Sequence, residues 1–497
     1  MPQGVLPYKY EEEKNESGLT ALAGLPLWLD LASVMGLTDH IKAHMRVRPT
    51  QGWTDEQMIL SLILLNLAGG DHVDDIRILE HDEGFCRVLK RCELKGLSRK
   101  ERRIIERRWR KERHRVVPSP SAVFRYLESF HNPGEEKKRI PGKSFIPAPN
   151  THLGGLMEVN KDLVTSIQSR TPKKEATLDM DATVDGTTKR NALFSYKGYK
   201  AYQPMNTYWA EQGLILHTEF RDGNVPAGYE QLRVLKDALT MLPPGVERVY
   251  LRSDTAGYQH DLLKFCETRE KRIEFTIGCD VTQEFKRAVY EVEEADWNPL
   301  MKKVNDTMVP TDTEWAEVCF VPDAISHSKK DPLYRYLATR CPLRQDVLPG
   351  MEGQLPFQTM EKESLRYKIF GIVTNRDIPG EELITWHYER CGKSEEAHSI
   401  MKEDLAGGYL PSSLFGANAA WWGIMILAFN LNSTMKRLVL GTERRMKALR
   451  FSLINLPGRI LEHARELIIR IAKGHPSFEV LVKARQRIVE LAYAPSG

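Results

Sequence analysis

Residues 177–185 read TLDMDATVD, a strict alternation that places Leu178, Met180, Ala182 and Val184 on one face and Asp179, Asp181, Thr183 and Asp185 on the other. A period of two is the signature of a strand and is incompatible with an amphipathic helix. Strand-like GYKAYQPMNTYWA and GLILHTEFRDG follow, separated by Glu211 and Gln212 as in a hairpin. Next come a helical YEQLRVLKDALTML, a strand VERVYLRSD, a helix QHDLLKFCETREKR and a strand IEFTIGC. With a further helix closing the unit, the order β-β-β-α-β-α-β-α implies a mixed α/β sheet covered by helices, the order of the ribonuclease-H-like fold.

The rest of the chain divides around this unit. Residues 1–170 are expected to be a helical N-terminal region: GLPLWLDLASVMGL and EQMILSLILLNLAGG carry apolar residues at helical spacing, and PSPSAVFRYLESF starts like a capped helix. Pro/Gly-rich 131–150 reads as an exposed linker, with a boundary between about 150 and 172. Residues 171–283 and 386–435 form the expected catalytic unit, 284–385 a strand-rich insertion, and 436–497 a helical C-terminal region. Helices are expected to resume near residue 394, with Ser394 as N-cap. AAWWGIMILAF, residues 419–429, is about half of a membrane span and reads as a buried core helix.

The seven cysteines are scattered without a CxxC pair, which favours reduced thiols over a disulfide frame or zinc site. No secretory signal is evident at the N-terminus, so a cytoplasmic protein without membrane association is expected. The formal net charge of +4 decides little, but Leu97–Arg115 carries ten Lys/Arg against three Glu, an excess suited to a polyanion. A solvated helix with internal ion pairs fits that run equally well. His72, Asp74, Asp75, His81 and Asp82 read as a polar turn surface.

Three carboxylates from distant points could converge on hard cations. Asp181 shares its strand face with Asp179, and only one of the two need be a ligand. Asp254 ends an apolar strand, where ligands commonly sit, although capping the next helix suits it equally. Glu395 follows, seven residues before Lys402 on one helical face, while Glu396 points about 100° away. Carboxylates and substrate phosphate are the donors that Mg²⁺ accepts, and a pair of such ions can serve both sides of a scissile phosphate.

These residues resemble the DDE transposases of bacterial insertion sequences, in the branch marked by a Tyr, Arg, Glu, Lys signature, and are similar in particular to the insertion-sequence-thirteen-eighty type. Tyr388, Glu395 and Lys402 match the signature at its spacing, whereas the Arg position falls on Cys391, with Arg390 beside it. LDMDATVDG resembles the first-Asp strand, favouring Asp181, and YLRSDTAGY the second, at Asp254; LPSSLFGANAAWWGIMILAFNL, with Asn418, resembles the helix after the Glu. Separations of 73 and 141 residues fit that plan.

The resemblance implies cut-and-paste transposition. The chain would bind terminal inverted repeats as a homodimer on DNA, cleave with two Mg²⁺ (Mn²⁺ able to substitute) held by Asp181, Asp254 and Glu395, and join the 3′-OH ends to target DNA. It implies a bacterial, nucleoid-associated protein. Tyr388, Arg390, Lys402, Arg252, Arg125, Arg107, Arg108 and Arg110 are the expected DNA contacts, mostly to phosphate. The alternatives are a ribonuclease-H-like nuclease or resolvase without strand transfer, and an inactive transposase-derived DNA-binding protein.

Overall fold

The computed structural model describes residues 18–47, 52–104, 115–328, 330–343, 357–363, 365–463 and 466–493. Its centre is a ten-stranded mixed sheet. In chain order the strands are β1 (Glu175–Ala182), β2 (Met205–Trp209), β3 (Leu214–Glu219), β4 (Arg248–Ser253) and β5 (Glu274–Cys279). They continue with β6 (Asn298–Val304), β7 (Thr307–Val318), β8 (Arg335–Pro342), β9 (Gln358–Lys362) and β10 (Leu365–Thr374). The spatial order is β6-β7-β8-β10-β5-β4-β1-β2-β3, with β9 paired to β10. β1, β4 and β5 run parallel; the other neighbours are antiparallel.

The expected alternation in β1 is present, but its polar face does not meet water. Thr177 and Asp179 are as buried as Leu178 and Met180, because this is a central strand covered on both sides. Five helices frame the sheet: α1 (Thr151–Arg170), α2 (Gln231–Met241), α3 (His260–Thr268), α4 (Gly380–Ser399) and α5 (Phe415–Thr434). α5 contains the AAWWGIMILAF run and is buried nearly all round, between α1, β3 and the N-terminal Asp55–Ala68 helix. A helix apolar on every face belongs inside a protein core. Its polar side chains are paired: Asn430 accepts from Ile215 N at 2.8 Å and donates to Asn160 Oδ1 at 2.8 Å. Among the described residues no helix is long and apolar enough to cross a membrane.

The expected serine cap is formed: Ser119 caps Pro120–Glu128. The helix Asp55–Ala68 ends at Gly69, with φ of 99°, and starts in a capping box of Thr54 and Gln57 that the sequence reading did not name. Residues 131–150, largely exposed as expected, are anchored to the body: Arg139 pairs with Asp222, and Ser144 donates to Asn224 O at 3.2 Å. The span of the expected boundary is occupied by α1, whose Asn160 donates to Ile215 O and Leu216 O of β3. The 284–385 block is strand-rich as expected and joins the central sheet through β10 on β5.

One expectation needs correction: the C-terminal region is not all helix. Gly458–His463 and Glu466–Ile471 pair with each other, and the first pairs with Leu19–Thr20, so the two ends of the described chain share a three-stranded sheet. ELIIRI is isoleucine-rich and its exposure alternates residue by residue, the strand period. The carbonyls of Asn66, Leu67 and Asp404 all accept from Arg450, tying the N-terminal helices, the segment after α4 and the C-terminal region together.

Candidate active site

α4 starts fourteen residues earlier than the sequence suggested, at Gly380, with Pro379 before it and Glu381 and Glu382 in its first turn. Ser394 is therefore mid-helix and caps nothing. It is buried, and its Oγ donates to Asp181 Oδ2 at 3.1 Å. Arg390, one turn earlier, sets Nη1 3.5 Å from the same oxygen, and His398, one turn later, sets Nδ1 at 3.9 Å. Residues four apart on a helix share a face, so Arg390, Ser394 and His398 form one stripe aimed at Asp181.

Asp181 closes β1, and the parallel register of β1 and β4 pairs Asp179 with Arg252 and Met180 with Ser253. The next positions along, Asp181 and Asp254, thus lie side by side at the carboxyl ends of adjacent strands. Asp254 caps the turn Thr255–Gly257, accepting from Ala256 N at 3.0 Å. Its capping role and its place at the strand end coexist.

The electrostatics join the three acids. Burial foremost pushes the Asp254 carboxyl above its ordinary range, and the charge of Asp181 pushes it further. Asp181 is raised chiefly by burial; Arg390 and Ser394 draw it back, and Glu395 adds to the rise. Glu395 is exposed on α4, beside the stripe, and Glu396 is exposed as well. Among the described residues no three His, Cys, Asp or Glu side chains stand close enough to grip a metal ion by themselves. The donor set nevertheless suits Mg²⁺, which takes oxygen ligands, keeps several waters and needs one or two carboxylates per ion.

Asp179 is not part of this set. It is buried and gripped by Arg252, whose Nε and Nη2 donate at 2.6 and 2.9 Å, while Nη1 donates to Trp386 O at 2.6 Å. Arg252, expected as a DNA contact, is 1% exposed with its fork spent on the protein, so it cannot reach DNA. Tyr388 is likewise turned inward, packing beside Leu383 and Ile384 with its hydroxyl 3.1 Å from Thr339 Oγ1. Arg390 is buried against Asp181, while Cys391, at the signature's Arg position, is exposed.

Lys402 lies in a π turn, Ile400–Asp404, directly after α4, and its Nζ donates to Val184 O at 3.3 Å. π turns recur at functional sites. Arg125 is exposed. Arg107, Arg108 and Arg110 lie outside the described residues. Asp75 accepts from Asp71 N and His72 N, and Asp82 caps the helix Glu83–Glu93, which accounts for those two acids structurally.

Sequence reasoning assigned Ser394 to a helix cap instead of to Asp181 and missed His398 and Asn206. Trp422 Nε1 donates to Thr218 Oγ1, which donates to Asn206 Oδ1 at 2.7 Å, and Asn206 Nδ2 lies 3.3 Å from His398 Nε2. With that nitrogen accepting, the His398 proton sits on Nδ1, facing Asp181. Burial lowers His398 to about 4, so the ring is neutral. The four-residue spacing of Arg390, Ser394 and His398 was the available signal.

Two acids thus stand at the ends of neighbouring parallel strands, with a third on the helix that crosses them. Residues 12–341 and 357–493 match the family described as transposase DDE domain group 1, and the chain belongs to that family. No curated protein matches the sequence. Among solved structures, a piggyBac transposase synaptic complex with hairpin DNA is similar at 11% identity, over 88% of this chain and 80% of that one, with a TM-score of 0.41.

Proposed function

We propose that the chain is a cut-and-paste DNA transposase with a ribonuclease-H-like catalytic core. It binds the terminal inverted repeats of its element as a homodimer, hydrolyses DNA at the ends and joins the freed 3′-OH ends to target DNA. The reading of a bacterial insertion-sequence protein of the thirteen-eighty type belongs to this proposal. One observation carries it: Asp181 and Asp254 end adjacent parallel strands, with the charge of Asp181 felt at Asp254 and that of Glu395 felt at Asp181.

Asp181, Asp254 and Glu395 would hold two Mg²⁺, with Mn²⁺ able to substitute. Bound there, the ions supply an activated water or 3′-hydroxyl and stabilise the leaving oxygen. The chain's own residues prepare the place. Ala256 N fixes Asp254, while Ser394 and Arg390 fix Asp181. Neutral His398, held by Asn206, keeps the Asp181 side of α4 in register without adding charge. Lys402 is the cation placed to meet backbone phosphate, and Arg125 and the Leu97–Arg115 run extend that contact.

The test is a labelled duplex carrying the inverted repeat that flanks the gene, incubated with target DNA and Mg²⁺. Joined product supports transposition; cleavage without joining supports a nuclease or resolvase, and binding alone an inactive DNA-binding protein. Asp181→Ala, Asp254→Ala and Glu395→Ala are each expected to reduce cleavage to background while end binding persists. Retained cleavage in any one removes that residue from the site.

A further inference from the structure

Between β1 and β2 the chain makes an excursion that the site above does not use. Asp185–Gly186, Leu193–Phe194 and Lys200–Tyr202 form a small three-stranded sheet, ordered with Lys200–Tyr202 in the middle. Its inner end is anchored: Ala192, Ala201 and Tyr202 are buried, and Tyr202 OH accepts from Asn418 Nδ2 of α5 at 3.3 Å. The hairpin starts four residues after Asp181, and Lys402 grips its stem at Val184 O. It is thus built on the rim of the active site.

The tip is closed by hydrogen bonds and carries aromatic rings in solvent. Gly198 N donates to Ser195 O and Ser195 N to Tyr199 O, with Gly198 at φ of 81°. That is a type I turn closed by a left-handed glycine, a common hairpin end. Ser195 Oγ adds a bond to Tyr199 O at 3.0 Å. The turn leaves Tyr196 76% exposed and Phe194 62% exposed, although exposed rings of this size cost hydration free energy. Phe194 pairs across the strands with Lys200, so the two share a face, and Lys197 Nζ lies 5.9 Å from the Tyr196 ring centroid.

Residues 187–200 contain Lys189, Arg190, Lys197 and Lys200 and no acid, so the tip is a cationic surface with interleaved rings. Duplex DNA offers phosphates to the cations but hides its base faces. Unpaired bases offer both phosphate and an aromatic plane, the combination that stacking platforms for single strands recognise. We infer that the 187–200 hairpin is a stacking platform for unpaired bases of the DNA end at the active site, with Phe194 and Tyr196 as the rings and Arg190 and Lys197 as the phosphate contacts. The inference rests on DNA being the substrate. These residues are positioning residues: they seat the strand end beside the carboxylates.

The test compares two duplexes carrying the element's terminal repeat, one fully paired and one with three unpaired nucleotides at the end, the latter holding 2-aminopurine. The full-length wild-type chain is expected to bind the frayed end about tenfold more tightly than the paired end, with quenched 2-aminopurine fluorescence. Phe194→Ala/Tyr196→Ala, at exposed positions, should lose that preference and the quenching while binding the paired duplex within about twofold of wild type. Tyr196→Trp should keep both, and Arg190→Gln/Lys197→Gln should weaken both ends and flatten the salt dependence. Preference and quenching unchanged in the double alanine variant would overturn the platform. A wild-type chain that cleaves ends but shows no preference overturns the platform alone; one that binds neither duplex overturns the DNA reading with it.

Discussion

Arg252 and Asp179 show how a residue that looks functional can be structural. Both are charged, both lie within two positions of a proposed metal ligand, and both are buried in a mutual two-pronged ion pair. Removing one partner of such a pair strands a charge in the interior. Arg252→Ala is expected to destabilise the fold by about 3–5 kcal/mol in urea unfolding; a loss below 1 kcal/mol would mean the pair is not what holds β1 to β4 there. Asp185 makes the opposite case. Burial pushes its carboxyl up to about 7, against partial relief from Lys402, and Oδ2 has no hydrogen-bond partner. A carboxyl raised in the folded state stabilises the fold when protonated, below its unfolded value near 4, and that contribution is lost as pH rises through about 7. Asp185→Asn does not titrate, so from pH 4 to pH 8 its stability relative to wild type should improve by roughly 2–4 kcal/mol. A flat difference across that range, measured by urea unfolding at each pH, would contradict the assignment.

At the scale of elements, α4 is the part on which the site depends, because it brings Glu395, Ser394, Arg390 and His398 to the sheet. Its start is fixed by close packing: a Cβ at Gly380 would enter the ring of Trp315 on β7. Gly380→Ala is expected to cost about 1–3 kcal/mol and to lower end cleavage by shifting the helix, with end binding kept. Unchanged stability would show that Trp315 yields freely. The five strands β1–β5 were legible because alternation, a two-residue hairpin gap and short helices between strands are local signals. The start of α4 was not, since EELITWHYERCGKSEE has no sharp apolar stripe and Gly380 follows a proline that reads equally well as loop. Nor were the Gly458–His463 and Glu466–Ile471 strands, where mixed apolar and basic residues fit either period and only pairing with Leu19–Thr20 decides.

At the scale of the whole molecule, the insertion extends the central sheet and Arg450 ties the N-terminal helices to the segment after α4, so the candidate site sits where distant parts of the chain meet. This explains what sequence could and could not find. Asp181, Asp254 and Glu395 were singled out by spacing and resemblance, and the strand register sets the first two side by side. The network of Trp422, Thr218, Asn206 and His398 draws on four segments and exists only once they meet. The choice of Glu395 over its neighbour is the sharpest claim, because both are exposed glutamates on one helix. The most direct measurement is therefore Mg²⁺-dependent cleavage and joining of labelled element ends by wild type, Glu395→Gln and Glu396→Gln side by side. The expected result is background activity for Glu395→Gln with end binding intact, and activity within about twofold of wild type for Glu396→Gln. Full activity in Glu395→Gln, or its loss in Glu396→Gln alone, would contradict the account.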